Sequence, residues 1–127
     1  MDLIRNYVAL FYKKIYNIAM EKRGAERIKV NLKAERISGN ARYGVFIEDI
    51  SEKGIQIIAT TSSEHKKYVP GTDLDLKLRL SSGRTLRLRC RVRWVYSKIP
   101  PDRLTDSIGL AVIDPPPEYT EFVRSLR

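Results

Sequence analysis

The chain has few of the residues from which catalytic and metal centres are usually built. Of its 127 residues one is cysteine, Cys90, and one is histidine, His65. A single thiol permits no internal disulfide, so a bridge-stapled secreted scaffold is excluded and a reducing, cytoplasmic setting is expected. His65 stands in a polar stretch without cysteines or carboxylates at ligand spacing, so it reads as a solvated loop residue rather than a metal ligand. The seven glycines are scattered. They form no glycine-rich phosphate loop, and no nucleophile elbow is present. No apolar run approaches the roughly 20 residues of a membrane-spanning helix. The N-terminus also lacks the small-residue cleavage pattern of a secretory signal. These absences point to a binding protein, not an enzyme, with no cofactor or metal.

Positive charge is abundant. Twenty-four Lys and Arg against fifteen Asp and Glu give a net charge of +9. With 43% hydrophobic and 31% charged residues the composition is that of a folded domain, and the length suits one. Such a field attracts polyanions. Charge alone leaves nucleic acid, anionic lipid and a nucleotide messenger as candidate partners.

The hydrophobic period changes along the chain. Ile4, Tyr7, Val8, Phe11, Ile15 and Ile18 recur at steps of three and four, predicting an amphipathic helix over 2–20. Its stripe would pack on the domain, on a second copy or on a partner. A membrane-surface role is disfavoured because only Arg5, Lys13 and Lys14 populate the polar face. Residues 21–29 are charged, contain Gly24 and break the stripe, as an exposed entry segment would. From Val30 the period is two, and about six alternating strands follow: 30–37, 43–50, 55–60, 73–80, 85–97 and 107–113. Ser38-Gly39-Asn40, Ser51 to Gly54, Pro70-Gly71 and Ser81-Ser82-Gly83 are the turns, with Gly54 expected in the left-handed region. Leu86, Leu88, Cys90, Val92 and Trp94 are expected on one apolar face, opposite Arg87, Arg89, Arg91 and Arg93. Residues 99–106 read as a loop carrying Pro100-Pro101. Pro115-Pro116-Pro117 ends the last strand, and a short helix with Tyr119, Phe122 and Leu126 on one side runs over 118–126. Without crossover helices, this pattern implies a small antiparallel barrel or sandwich.

Two clusters carry recognisable binding chemistry. Arg23 and Arg27, four apart in the entry segment, are permanently charged planar forks suited to phosphate oxygens and to the acceptor edge of guanine. Asp49, Ser51 and Gly54, at the second strand's end, offer an acceptor, a hydroxyl and a position without a side chain. Together they suit a guanine nucleotide with anionic phosphates. A plainer reading makes Asp49 and Ser51 hairpin caps and the arginines a solvated linker. The Arg87–Arg93 row reads first as a solvated outer face that protects a long strand from aggregation. Its alternative is a nucleic-acid stripe, although no row of aromatics accompanies it for base stacking. Trp94 reads first as core, with stacking on a purine as its second option.

The pattern Arg23-x-x-x-Arg27, followed by Asp49-x-Ser51-x-x-Gly54, resembles the PilZ domain, the bacterial cyclic di-GMP receptor module. The resemblance extends to the Pro70-Gly71-Thr72 turn, the Arg91-Val92-Arg93-Trp94-Val95 strand and the Ser107–Val112 strand. It covers roughly residues 21–126 and implies a mainly β fold, a six-stranded antiparallel β-barrel with a C-terminal helix, for a domain over 21–127; the amphipathic helix, 1–20, lies outside the resemblance. It also implies that Arg23 and Arg27 contact phosphates and guanine, that Asp49 accepts from a guanine, that Ser51 bonds the ligand and that Gly54 keeps the turn unobstructed. Lys22, just before the first arginine, would favour an intercalated ligand pair. A downstream protein partner and a homodimer through the first helix complete the expectation. A nucleic-acid barrel or a ligand-independent interaction module is the alternative.

Overall fold

The computed structural model describes residues 26–60, 68–97 and 105–127. Helix 2–20, the first part of the entry segment with Lys22 and Arg23, His65, and the Pro100-Pro101 loop lie outside the described residues. Six strands form a closed antiparallel barrel: β1 (Ile28–Ser38), β2 (Ala41–Ile50), β3 (Gly54–Thr60), β4 (Asp73–Arg79), β5 (Thr85–Ser97) and β6 (Thr105–Ile113). Their order around the wall is β1-β2-β3-β6-β5-β4, closed by pairing of β4 with β1. Alternation explains the burial. Leu74, Leu76 and Leu78 of β4 and Leu86, Leu88, Cys90 and Val92 of β5 point inward, with charged residues between them outward. Ile47, Ile50, Ile55, Ile57, Ile108 and Leu110 complete the interior.

The short helix α1 (Pro117–Ser125) closes one end of this interior. Proline at its first turn removes only an N–H that has no helical partner. Tyr119 and Val123 are buried, and Phe122 and Leu126 pack beside them. Val123 therefore joins the face that the sequence assigns to Tyr119, Phe122 and Leu126. The hairpin turns at Gly39 (φ 59°) and Gly83 (φ 90°), and the turn at Gly71 (φ 91°) that leads into β4, use the left-handed region.

Gly54 does not. It enters β3 without a positive φ, contrary to the expectation from sequence. The reason is local: the Ser51 hydroxyl accepts the N–H of Gly54 at 3.0 Å and of Lys53 at 3.3 Å, closing the turn with a side chain. The Ser51 N–H donates to the Gly54 carbonyl at 2.8 Å.

A second correction concerns Trp94. Val92 pairs with Leu110, but Trp94 pairs with Gly109, so Arg93 is an extra residue in β5. A bulge of one residue shifts the phase of everything after it. Val95, opposite buried Ile108, faces the core, and Trp94 lies on the outer wall with its indole across Gly109. A Cβ at Gly109 would stand 2.1 Å from the indole nitrogen, so β6 needs glycine there.

Candidate functional site

The site forms where β1 begins and β2 ends. Another bulge is responsible. Ile47 pairs with Ile57 and Asp49 with Gln56, leaving Glu48 as the extra residue of β2. Strict alternation would turn Asp49 inward beside Ile47. The bulge instead keeps both Ile47 and Ile50 in the core and delivers Asp49 to the outer wall. A third irregularity, between Lys29 and Leu32 of β1, keeps the facing strand in step.

Arg27 lies directly before β1 and reaches this carboxylate. Its Nε donates to Asp49 Oδ1 at 2.8 Å, and Nη2 stands 2.5 Å from the same oxygen. The contact at Nη2 is close but too oblique for a hydrogen bond. Both side chains are largely covered, at 10% and 15% exposure. Nη1 and Nη2 are buried and meet no acceptor in bonding geometry. Leaving buried guanidinium N–H groups without acceptors costs about 1–3 kcal/mol each. A guanidinium held in place by one edge, with its other edge unsatisfied, is a preset acceptor-binding fork.

Ser51 and Gly54 are both buried. The Ser51 hydroxyl is directed into its own turn, donating to the Gly54 carbonyl at 3.3 Å while accepting the two amides. The turn is also fixed from below. Tyr119 of α1 donates its phenol hydrogen to the Ser51 carbonyl at 2.5 Å, and the Val112 N–H donates to the Lys53 carbonyl at 2.9 Å. Burial holds the Tyr119 hydroxyl protonated by pushing its pKa up, so the donor persists across the neutral range. Glu52, beside Ser51, receives Arg124 and Arg127, and Arg127 also meets Glu26 at 3.3 Å. The C-terminal residues thus clasp both the turn and the entry segment.

Cross-strand pairing extends the site sideways. Lys29 pairs with Asp49, Asp49 with Gln56, Gln56 with Gly109 and Gly109 with Trp94. These five residues form one row across the outer wall, with the Trp94 indole two strands from Asp49. Gln56 is buried in that row and donates to Glu48 Oε1 at 2.7 Å. Sequence reasoning places Trp94 in the core and does not assign it to this row. Gly109 was the available signal, since a glycine inside a strand marks close approach of another group.

The arginine row of β5 is largely neutralised. Arg87 pairs with Asp75 at 2.9 Å, and both Arg91 at 2.8 Å and Arg89 at 3.3 Å converge on Asp73. Hydrogen bonds from Arg91 above all hold the Asp73 carboxyl below its usual range. Among the described residues no group of His, Cys, Asp and Glu could hold a metal, and no helix is long and apolar enough to cross a membrane.

A family model, described as the PilZ domain, matches residues 21–125. Solved structures share the fold, among them these three. The Bacillus subtilis inhibitor of motility MotI is 15% identical, with a TM-score of 0.62 over 80% of this chain and 48% of its own. The PilZ domain of Escherichia coli YcgR, solved with cyclic di-GMP, is 10% identical, with a TM-score of 0.59 over 79% of this chain and 84% of its own. Borreliella burgdorferi PlzA, in complex with cyclic di-GMP, is 15% identical, with a TM-score of 0.60 over 91% of this chain and 55% of its own. The chain therefore spans about half the length of MotI and PlzA. No curated protein matches it in sequence.

Proposed function

This chain belongs to the PilZ domain family, and on that premise we propose that it is a receptor domain for cyclic di-GMP that passes ligand occupancy to a downstream protein. The observation that carries the reading is the Arg27 fork. Its Nε is tied to Asp49, Nη2 stands against the same carboxylate, and Nη1 is buried without an acceptor, so the guanidinium keeps donors that a rearrangement of the entry segment brings to a ligand. Phosphate oxygens and the O6 and N7 atoms of guanine are the acceptors that fit such a fork. Asp49 accepts from the guanine N–H edge, and its pairing with Arg27 fixes the carboxylate before ligand arrives. Arg23 supplies the second fork, and Lys22 adds charge that favours an intercalated ligand pair.

Ser51 and Gly54 serve the ligand by keeping the turn compact, with the Ser51 hydroxyl as a secondary contact once the turn adjusts. Trp94 forms the side wall against which a base can stack, in the same cross-strand row as Asp49. No bond is made or broken at this site, and no cofactor takes part. The barrel over 21–127 is the sensing unit, and helix 1–20 is the output element, a surface for a partner or a second copy. Ordering of the entry segment around the ligand shifts that helix in a cytoplasmic signalling pathway of motility, biofilm formation or polysaccharide secretion. The nucleic-acid alternative is weaker because Asp73 and Asp75 already occupy Arg87, Arg89 and Arg91.

Calorimetry on arginine variants tests the site. Arg27→Ala should weaken cyclic di-GMP binding by roughly ten- to a hundredfold, the worth of one bidentate arginine–guanine contact, and Arg23→Ala should do the same. Both variants should keep the wild-type circular dichroism spectrum. Two variants that bind as the wild type does would remove the arginines from the site.

A further inference from the structure

Among the described residues the arginine row of β5 leaves only Arg93 outside an ion pair, and a cluster of unpaired cations lies elsewhere on the barrel wall. Among the described residues Lys33, Arg42, Lys77 and Arg79 take part in no ion pair. They surround a cavity of about 420 Å³ on the outer face of β1, β2, β4 and β5, with Glu35 inside it. A second cavity of about 300 Å³ shares Arg42, Lys77 and Thr85 with the first and reaches Arg87. The two make one continuous groove.

Register explains why a depression forms there. Glu35 lies between Gly44 and Lys77 in the ladder, and Gly44 carries no side chain on the outer wall. A Cβ at Gly44 would meet nothing within 4 Å, so the glycine is not required by packing. The groove is far from the candidate ligand site. Arg42 precedes Asp49 by seven residues of β2, about 20 Å along a strand. The groove contains none of the proposed cyclic di-GMP contacts.

We propose that this groove docks an acidic segment of a protein partner. Clustered cations without counter-ions repel one another, and carboxylates placed among them convert that repulsion into attraction and into a faster encounter. Three observations favour a protein segment over a phosphate polyanion. Glu35 sits inside the groove and would repel a continuous row of phosphates, but it can accept from a backbone N–H or a lysine of a peptide. Among the described residues no aromatic side chain lines either cavity, so bases inside the groove would find no row of rings to stack on, the single Phe46 standing only at its edge. Phe46, 47% exposed and paired with Lys33 at the groove's edge, supplies the aromatic anchor typical of protein interfaces.

The test compares two double charge reversals in the full chain that alter net charge equally. Arg42→Glu with Lys77→Glu changes the groove, and Lys53→Glu with Arg93→Glu changes exposed cations outside it. Each is titrated with a short peptide in which glutamates are interspersed with glycine and lysine, a single-stranded oligonucleotide and vesicles of phosphatidylcholine with phosphatidylserine. Peptide affinity should fall about tenfold more in the groove variant than in the control. Oligonucleotide and vesicle binding should fall equally in both. Equal loss of peptide binding in the two variants would overturn the groove assignment. A loss of oligonucleotide or vesicle binding specific to the groove variant would overturn the protein occupant. Cyclic di-GMP binding should survive in the groove variant, so this proposal and the receptor reading fail separately.

Discussion

At the residue scale, motif membership does not tell ligand contact from support. Arg27 keeps buried donor capacity beside Asp49, whereas the Ser51 hydroxyl is spent on the amides of Lys53 and Gly54. The two should therefore behave differently. Ser51→Ala should lower stability by about 1–2 kcal/mol in urea unfolding with little effect on cyclic di-GMP affinity, because two amides lose their acceptor, whereas Arg27→Ala should both weaken binding and cost about 1–3 kcal/mol, because it strands the largely covered Asp49 carboxylate. Cys90 gives a second residue-scale expectation. Burial pushes its thiol from an ordinary value of 9.0 up to about 12. Between those values the unfolded chain has lost a proton that the native chain keeps, so unfolding becomes easier as pH rises. Stability should be level from neutral pH to about 9 and should decline as pH climbs toward 12, with the burial of the Tyr119 phenol adding to the fall above its ordinary value of 10.0. In Cys90→Ala the decline beginning near pH 9 should be shallower, measured by denaturant titration across that range.

At the element scale, the strands and turns were legible because alternation and turn chemistry report local geometry. The four leucines of 74–80 and the arginine alternation of 87–93 mark β4 and β5 almost residue for residue. What could not be read were the bulges. An extra residue is defined by its partner strand, and Glu48 and Arg93 look like any outward charged position in their own strands. The misplacement of Trp94 follows from that one residue, because everything beyond a bulge changes face. Gly109→Ala tests the correction: the added methyl should displace the indole, shift its fluorescence emission and destabilise the barrel by about 1–3 kcal/mol. The helix–turn contact is testable likewise. Tyr119→Phe removes one buried hydrogen bond to the Ser51 carbonyl and should cost roughly 1–2 kcal/mol in urea unfolding.

At the scale of the whole molecule, the barrel is a rigid frame with two charged regions on its wall. At one end, the β2 bulge, the capped turn and the clasp of Arg127 on Glu26 and Glu52 hold Asp49 and Arg27 in place before any ligand binds. Sequence alone identified these residues by type and spacing. It could not show that Arg27 and Asp49 pair with each other, since that depends on two irregular strands meeting in register. Nor could it show where charge is free, because Asp73 and Asp75 cancel the very arginines that stand out in the sequence.

The central claim, that cyclic di-GMP binds at the Arg27–Asp49 end of the barrel, is tested most directly by following backbone amide and indole resonances during titration with cyclic di-GMP, with GMP as control. Saturable shifts are expected in 21–29, 49–54 and the Trp94 indole, extending to residues 2–20, and none of comparable size with GMP. Absence of shifts, or shifts centred on Arg42, Lys77 and Thr85 at the far end of the wall, would contradict it.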